Sequence, residues 1–139
     1  IQVVMTAAET GHLVFSTLHT IGAANTIERI IDVFPPNQQR QITIQLASVL
    51  QAVISQQLIP SVDGTLIPVF EIMEVTPAIR NMIRENKVHQ IDGLIYSSTG
   101  SGMMSMDQSL MQAYRDGKIT KETAVLYALN AEMLSKRLR

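Results

Sequence analysis

Hydrophobic and polar positions along this chain fall into blocks whose spacing names successive elements. Val3, Val4 and Ala7 are apolar positions of a helix end, and Gly11 suits the left-handed C′ position that closes it. Leu13-Val14-Phe15, continued by Ser16-Thr17-Leu18, has the length and β-branched content of a buried strand, with His12 and His19 at its two ends. Ile27, Ile30, Ile31 and Phe34 then recur at three- and four-residue spacing, which predicts a helix from about Gly22 to Asp32 with Thr20 as its N-cap. Pro35-Pro36 stops that helix, because proline cannot continue the hydrogen-bond ladder. Asn37 is placed to cap the next and longest one. Its stripe of Ile42, Leu46, Val49, Leu50, Val53, Ile54 and Leu58 predicts a core helix ending near Gln57.

The period then changes. Leu58 to Val62 and Thr65 to Val75 flank Asp63-Gly64, a pair that tolerates positive φ, and so predict a β-hairpin. Pro60 and Pro68 lack a ladder donor and push these strands towards edges or irregular ends. After Thr76 only helical spacing remains. Thr76-Pro77 is an N-cap followed by proline at N1, opening a helix with Ile79, Met82 and Ile83 on one face and Arg80, Asn81, Arg84 and Glu85 on the other. Val88, Ile91, Leu94 and Ile95 predict a second helix from Lys87, followed by a polar loop from Ser97 to Gly102. Ser105 and Gln108 have capping-box spacing before Leu110, Met111 and Tyr114, and Gly117 ends that helix. Thr120 and Asn130 cap two more. The pattern predicts an α/β part over residues 1–75 and a small all-helical subdomain over residues 76–139.

Composition narrows the class. With 139 residues, 46% hydrophobic and 17% charged, the chain can bury a real core and is not a solvated polar tract. A formal net charge of −1 leaves no nucleic-acid footprint. The absence of cysteine excludes disulfide scaffolds and thiolate metal sites. No apolar run approaches the ~18 residues that would span a bilayer, so no direct membrane insertion is expected. The chain opens without Met on what reads as the middle of a helix, which leads us to expect a fragment of a longer protein.

Few residues carry evident chemistry. In an open α/β sheet, ligands gather beyond the carboxyl ends of strands, which singles out His19 and Thr20, with a helix N-terminus following that can hold an anion. His12 and His19 are seven apart and would point to opposite faces of a regular strand, so they do not share a metal, and His89 completes no ligand spacing. Either histidine could instead fill the entry or the exit of the strand. Ser98 to Gly102 is glycine-rich but has neither a preceding strand nor a Lys, and reads as a flexible loop. No Gly-Lys-Ser/Thr phosphate loop occurs in the chain. Arg80 and Arg84, four apart, form either a solvated surface or a partner site.

The segment TGHLVFSTLHT, followed by Ala23 to Asp32, resembles the His box of the type II/IV secretion ATPase family, hexameric RecA-like P-loop motors of pilus assembly, pilus retraction and secretion. Within that family, Ala78-Ile79-Arg80-Asn81-Met82-Ile83-Arg84-Glu85 resembles the AIRNLIRE motif of the retraction branch, with Met82 for Leu. Gly102 to Leu110 resembles that branch's Met-Asp-Gln-Ser-Leu segment, and the lack of cysteine separates the chain from members bearing a tetracysteine zinc module. The resemblance implies a partial RecA-like P-loop ATPase core followed by a helical subdomain. It implies a parent that hydrolyses ATP with Mg2+ to power pilus retraction and twitching motility, at the cytoplasmic face of the bacterial inner membrane. His19 would be the γ-phosphate sensor, with His12 beside it, and residues 78–85 the surface needed for retraction. The parent would be a homo-hexamer working with an inner-membrane pilus platform protein. Walker A and Walker B would lie outside this chain, so we expect it to bind no nucleotide alone, to be inactive alone, and to associate non-natively through unpaired strand edges. The alternatives are a related pilus-extension or type II secretion ATPase, or a non-catalytic helical interaction module using the Arg80/Arg84 face.

Overall fold

The structure is a computed structural model that describes residues 1–98 and 102–138. Its elements in order are α1 (Gln2–Glu9), α2 (Ala23–Asp32), α3 (Pro36–Val49), β1 (Ala52–Pro60), β2 (Leu66–Glu74), α4 (Pro77–Arg84), a 3-10 turn (Val88–Gln90), α5 (Ile91–Ser97), α6 (Met106–Arg115), α7 (Lys121–Tyr127) and α8 (Ala131–Arg137).

Local capping chemistry explains most of the boundaries. The N–H of Gly11 reaches Ala8 O and that of His12 reaches Ala7 O, both at 3.1 Å, while Gly11 takes φ +88°. That is a Schellman closure, and glycine is used there because its φ is left-handed. Asn86, at φ 57°, closes α4 in the same way through Ile83 O and Met82 O. Thr76, Ser105, Thr120 and Asn130 each accept a hydrogen bond from the third residue of their own helices. The side chain of Gln108 returns to the Ser105 N–H at 2.9 Å and completes the capping box.

Three expectations are corrected. The Leu13–Leu18 run is not a strand. It pairs with nothing among the described residues, and Leu13 and Phe15 are 83% and 88% exposed. A strand is stable only with a neighbour for its backbone groups, and apolar content does not supply one. The long helix stops at Val49 rather than near Gln57, and β1 starts at Ala52, earlier than the predicted strand at Leu58. Leu50, Val53 and Ile54 satisfy both periods, and pairing with β2 decides for the strand. Thr20 and Asn37 are not caps: α2 starts from Gly22 at φ 91°, and α3 from Pro35 with Pro36 at N1.

β1 and β2 pair antiparallel from Ala52↔Glu74 to Pro60↔Leu66, and Met104 adds one bridge to β2 at Ile72. Asp63-Gly64 forms the connecting loop, with Gly64 at φ +83°. Val53, Ser55, Val69, Glu71 and Met73 face inward, while Ile54, Leu58 and Leu66 are exposed. Two hydrophobic clusters follow. One joins α1, α2 and α3 to Val53 and Met73, and takes in Ile79, Ile83, Ile91 and Ile95 from beyond Val75. The other joins Ile59 and Val69, at the loop end of the hairpin, to Met106, Leu110, Ala124 and Leu134. Each fully buried isoleucine contributes roughly 1.5–3 kcal/mol over its exposed state.

Candidate functional site

The His12–Thr20 segment lies on the surface between α1 and α2. His12 and His19 are both exposed. His12 Nδ1 sits 3.0 Å from Thr10 Oγ1 and 3.2 Å from Ala7 O, so its ring is tied to the end of α1. After His19 the chain tightens: Thr20 Oγ1 lies 2.7 Å from Thr26 Oγ1, Thr26 donates to Gly22 O at 2.8 Å, and Asn25 donates to Ile21 O at 2.8 Å. The turn that follows the histidine is therefore held by the first turn of α2.

The N-terminus of α2 does not wait for an outside anion. The N–H of Gly22 donates to Ser55 Oγ at 2.8 Å, and the N–H of Ala23 to Glu71 Oε1 at 2.7 Å. Glu71 is 1% exposed. Its second oxygen, Oε2, accepts from the N–H of Met106 at 3.3 Å, so one carboxylate serves the starts of both α2 and α6. Helix N-termini carry partial positive charge and unpaired N–H groups, and a buried carboxylate answers both. Burial still pushes the Glu71 carboxyl up from its ordinary value. The two N–H donors oppose that shift, and the charges of Asp92 and Asp107 add to it.

Sequence reasoning missed Glu71. The available signal was a carboxylate on the buried face of an alternating strand, opposite Ser55 in the register. Asp107 was also missed as a clamp: its two oxygens accept from the N–H groups of Leu129 and Asn130 at 2.7 and 3.0 Å, fixing the α7–α8 junction to α6.

The α4 motif divides into three roles. Ile79 and Ile83 are fully buried and Met82 is half-buried in the first cluster. Arg80 is not a free surface cation, because its guanidinium donates to Ala47 O at 2.7 Å, Ser48 O at 3.0 Å and Gln51 Oε1 at 3.5 Å. It thereby meets carbonyls at the end of α3, where a cation is electrostatically favoured. Ala78, Asn81, Arg84 and Glu85 are exposed, and Glu85 pairs with Lys87 at 2.6 Å. Of the two arginines, Arg84 is exposed and Arg80 is half-buried against α3.

A cavity of about 240 Å³ between α1 and α3 is lined by Gln2, Thr6, Gln38, Gln41, Ile42 and Gln45, without a cation to meet a phosphate. Among the described residues, no group of three or more His, Asp or Glu is placed to hold a metal ion. None of their helices is long and apolar enough to cross a membrane. Of the glycine-rich loop, Thr99, Gly100 and Ser101 lie outside the described residues.

Comparison with known proteins turns this geometry into a family. The family model described as "Type II/IV secretion system protein" matches residues 1–67. A twitching motility protein of Neisseria gonorrhoeae is 48% identical over 136 residues, which are 97% of this chain and 36% of that protein. The type IV pilus retraction ATPase PilT of Pseudomonas aeruginosa is 47% identical over 124 residues, covering 89% of this chain and 36% of its own. The crystal structure of the pilus retraction motor PilT with bound ADP superposes with a TM-score of 0.85 at 42% identity, over 97% of this chain and 38% of that one. The chain thus spans little more than a third of the length of the relatives it matches. Its two-stranded sheet and helices are a partial RecA-like core with a helical part, as in that motor. The chain belongs to the type II/IV secretion ATPase family and is PilT-like within it.

Proposed function

We propose that this chain is part of an ATP-driven motor that powers type IV pilus retraction. The observation that carries the reading is the likeness to ADP-bound PilT, which runs through 97% of the chain at 42% identity. In this reading the parent is a homo-hexamer. ATP and Mg2+ are held chiefly by parts outside residues 1–139, and the chain alone turns over no nucleotide. Residues 1–75 contribute to the RecA-like core, and residues 76–139 form the helical part that moves with it.

His19 touches the terminal phosphate and Thr20 to Gly22 carry its displacement into α2, with His12 setting the other end of the segment. Support comes from the exposure of His19 and from the hydrogen bonds that bind the following turn to α2. Leu13 and Phe15, now open to solvent, are the side chains that a completed sheet would cover. On α4, Ala78, Asn81, Arg84 and Glu85 form the output surface towards an inner-membrane platform protein, while Ile79, Arg80, Met82 and Ile83 hold that surface in place. The work is done at the cytoplasmic face of the inner membrane.

The test is His19→Ala in the full-length motor. ATPase rate and nucleotide affinity should both fall, the rate by about 100-fold, as for other groups aimed at a transferring phosphoryl. If both are unchanged, His19 is not the sensor. Isothermal calorimetry of residues 1–139 with millimolar ATP should give no binding heat, and clear binding would overturn the division of labour between this chain and the rest of its parent.

A further inference from the structure

Glu71 lies 48 residues from Ala23 and 35 from Met106, yet its two oxygens accept from both of their backbone N–H groups. It is 1% exposed, so solvent does not reach it to replace a lost partner. A carboxylate shared in this way cannot follow one helix without weakening its bond to the other, since hydrogen bonds fall off within a few tenths of an ångström. The surroundings make each end stiff. Gly22 takes the left-handed φ of +91°, which L side chains rarely adopt, and its N–H is held by Ser55. On the other side, Ile72 and Met104 exchange both backbone hydrogen bonds, at 2.8 and 3.0 Å, next to Glu71 in the chain. Ser105 then starts α6 through its capping box.

We infer that Glu71 is a positioning residue that couples the turn after His19 to the N-terminus of α6, so that the starts of α2 and α6 open and close as one unit. Motion at Thr20 to Gly22 then reaches the C-terminal helices through one carboxylate, without passing along α2 or through the hairpin loop. Asp107, on the first turn of α6, extends the path by holding the N–H groups of Leu129 and Asn130. The role of this coupling in the motor rests on the reading of His19 as sensor; the coupling itself does not.

The experiment is amide hydrogen exchange in the full-length protein, comparing the native sequence with Ser105→Ala, Glu71→Gln and the double variant. Ser105→Ala removes the α6 cap and should speed exchange in the first turn of α6 by about fivefold, the population equivalent of a lost cap. With Glu71 present, Ala23 to Thr26 should speed up as well, by at least about twofold. In the Glu71→Gln background, the added Ser105→Ala change should no longer reach α2. Failure of Ser105→Ala to alter α2 in the native background overturns the coupling, whether or not Glu71→Gln folds. Transmission to α2 that persists unchanged in the double variant assigns the path to the Ile72–Met104 bridge and overturns the role of Glu71. Coupled exchange together with an inert His19→Ala variant leaves Glu71 standing and removes only the sensor.

Discussion

Two apolar stretches of this chain meet opposite fates. Leu13 to Leu18 stands on the surface without a strand partner among the described residues, with Phe15 88% exposed. Leu66 to Glu74 forms β2, pairs along its length with β1, and buries Val69, Glu71 and Met73. The difference lies in what each stretch has beside it. β2 has a hairpin partner five residues away and α6 packed behind it, whereas the His segment has a helix at each end and no second strand among the described residues. Strand formation belongs to the pair: both histidines flank the unpaired stretch, while the buried charge lies in the paired one.

Substitutions put that contrast to the test. The largest expected effect is at Phe15. In residues 1–139 alone, Phe15→Ala should change stability by less than about 0.5 kcal/mol, as at any exposed site. In a full-length motor whose sheet covers it, the same change should cost about 3–5 kcal/mol. Urea denaturation of both proteins reads the difference, and equal small effects would mean that no sheet forms over the segment.

Next comes Glu71. Glu71→Ala leaves the N–H groups of Ala23 and Met106 without their partner and should cost about 2–4 kcal/mol, read in the same denaturation experiment. The pH dependence has a defined sign. The folded carboxyl is raised above its ordinary 4.5, so the folded chain holds that proton more tightly than the unfolded one. Stability from this group therefore falls as pH rises from about 4.5 through the raised value, and Glu71→Gln should flatten the slope.

Arg80 and Arg84 give a smaller and internal contrast. Arg80→Ala removes the donors to Ala47 O and Ser48 O and should lower stability by about 1–2 kcal/mol in thermal melts. Arg84→Ala should stay within about 0.5 kcal/mol while reducing retraction in a twitching assay of the whole motor. The smallest effect is at the hairpin loop. Asp63 accepts from the Ser61 and Thr65 hydroxyls and the Thr65 N–H, which hold its carboxyl down to about 2 from 3.8. Its contribution is present above the unfolded value and is lost as pH falls from about 3.8 towards 2, so Asp63→Asn should be flatter in that acid window when followed by circular dichroism.

Features whose cause lies within four residues were legible in the sequence. The Thr76-Pro77 start, the Ser105–Gln108 box, the caps at Thr120 and Asn130, and the Asp63-Gly64 turn are each set by side chain and backbone in one turn of chain. The passage from α3 to β1 was not, because Val49, Leu50, Val53 and Ile54 fit a helical stripe and a strand equally well until β2 is present. Glu71 and Arg80 escaped for a related reason. Both look like surface charges beside their sequence neighbours, and both act on groups 29 to 48 residues away. The histidines were legible as candidates from their position around one run, though the period-two geometry used to separate them requires a strand that this segment does not form.

The anchoring of Arg80 has a practical consequence for anyone who copies α4 as a reagent. A synthetic peptide of residues 77–85 would offer solvent a guanidinium and two isoleucines that the folded chain keeps against α3 and the core. Antibodies or competitors selected against such a peptide would also read Ile79, Arg80 and Ile83, which the folded chain buries or ties to α3. A faithful mimic has to display Ala78, Asn81, Arg84 and Glu85 from a stapled helix whose opposite side is masked.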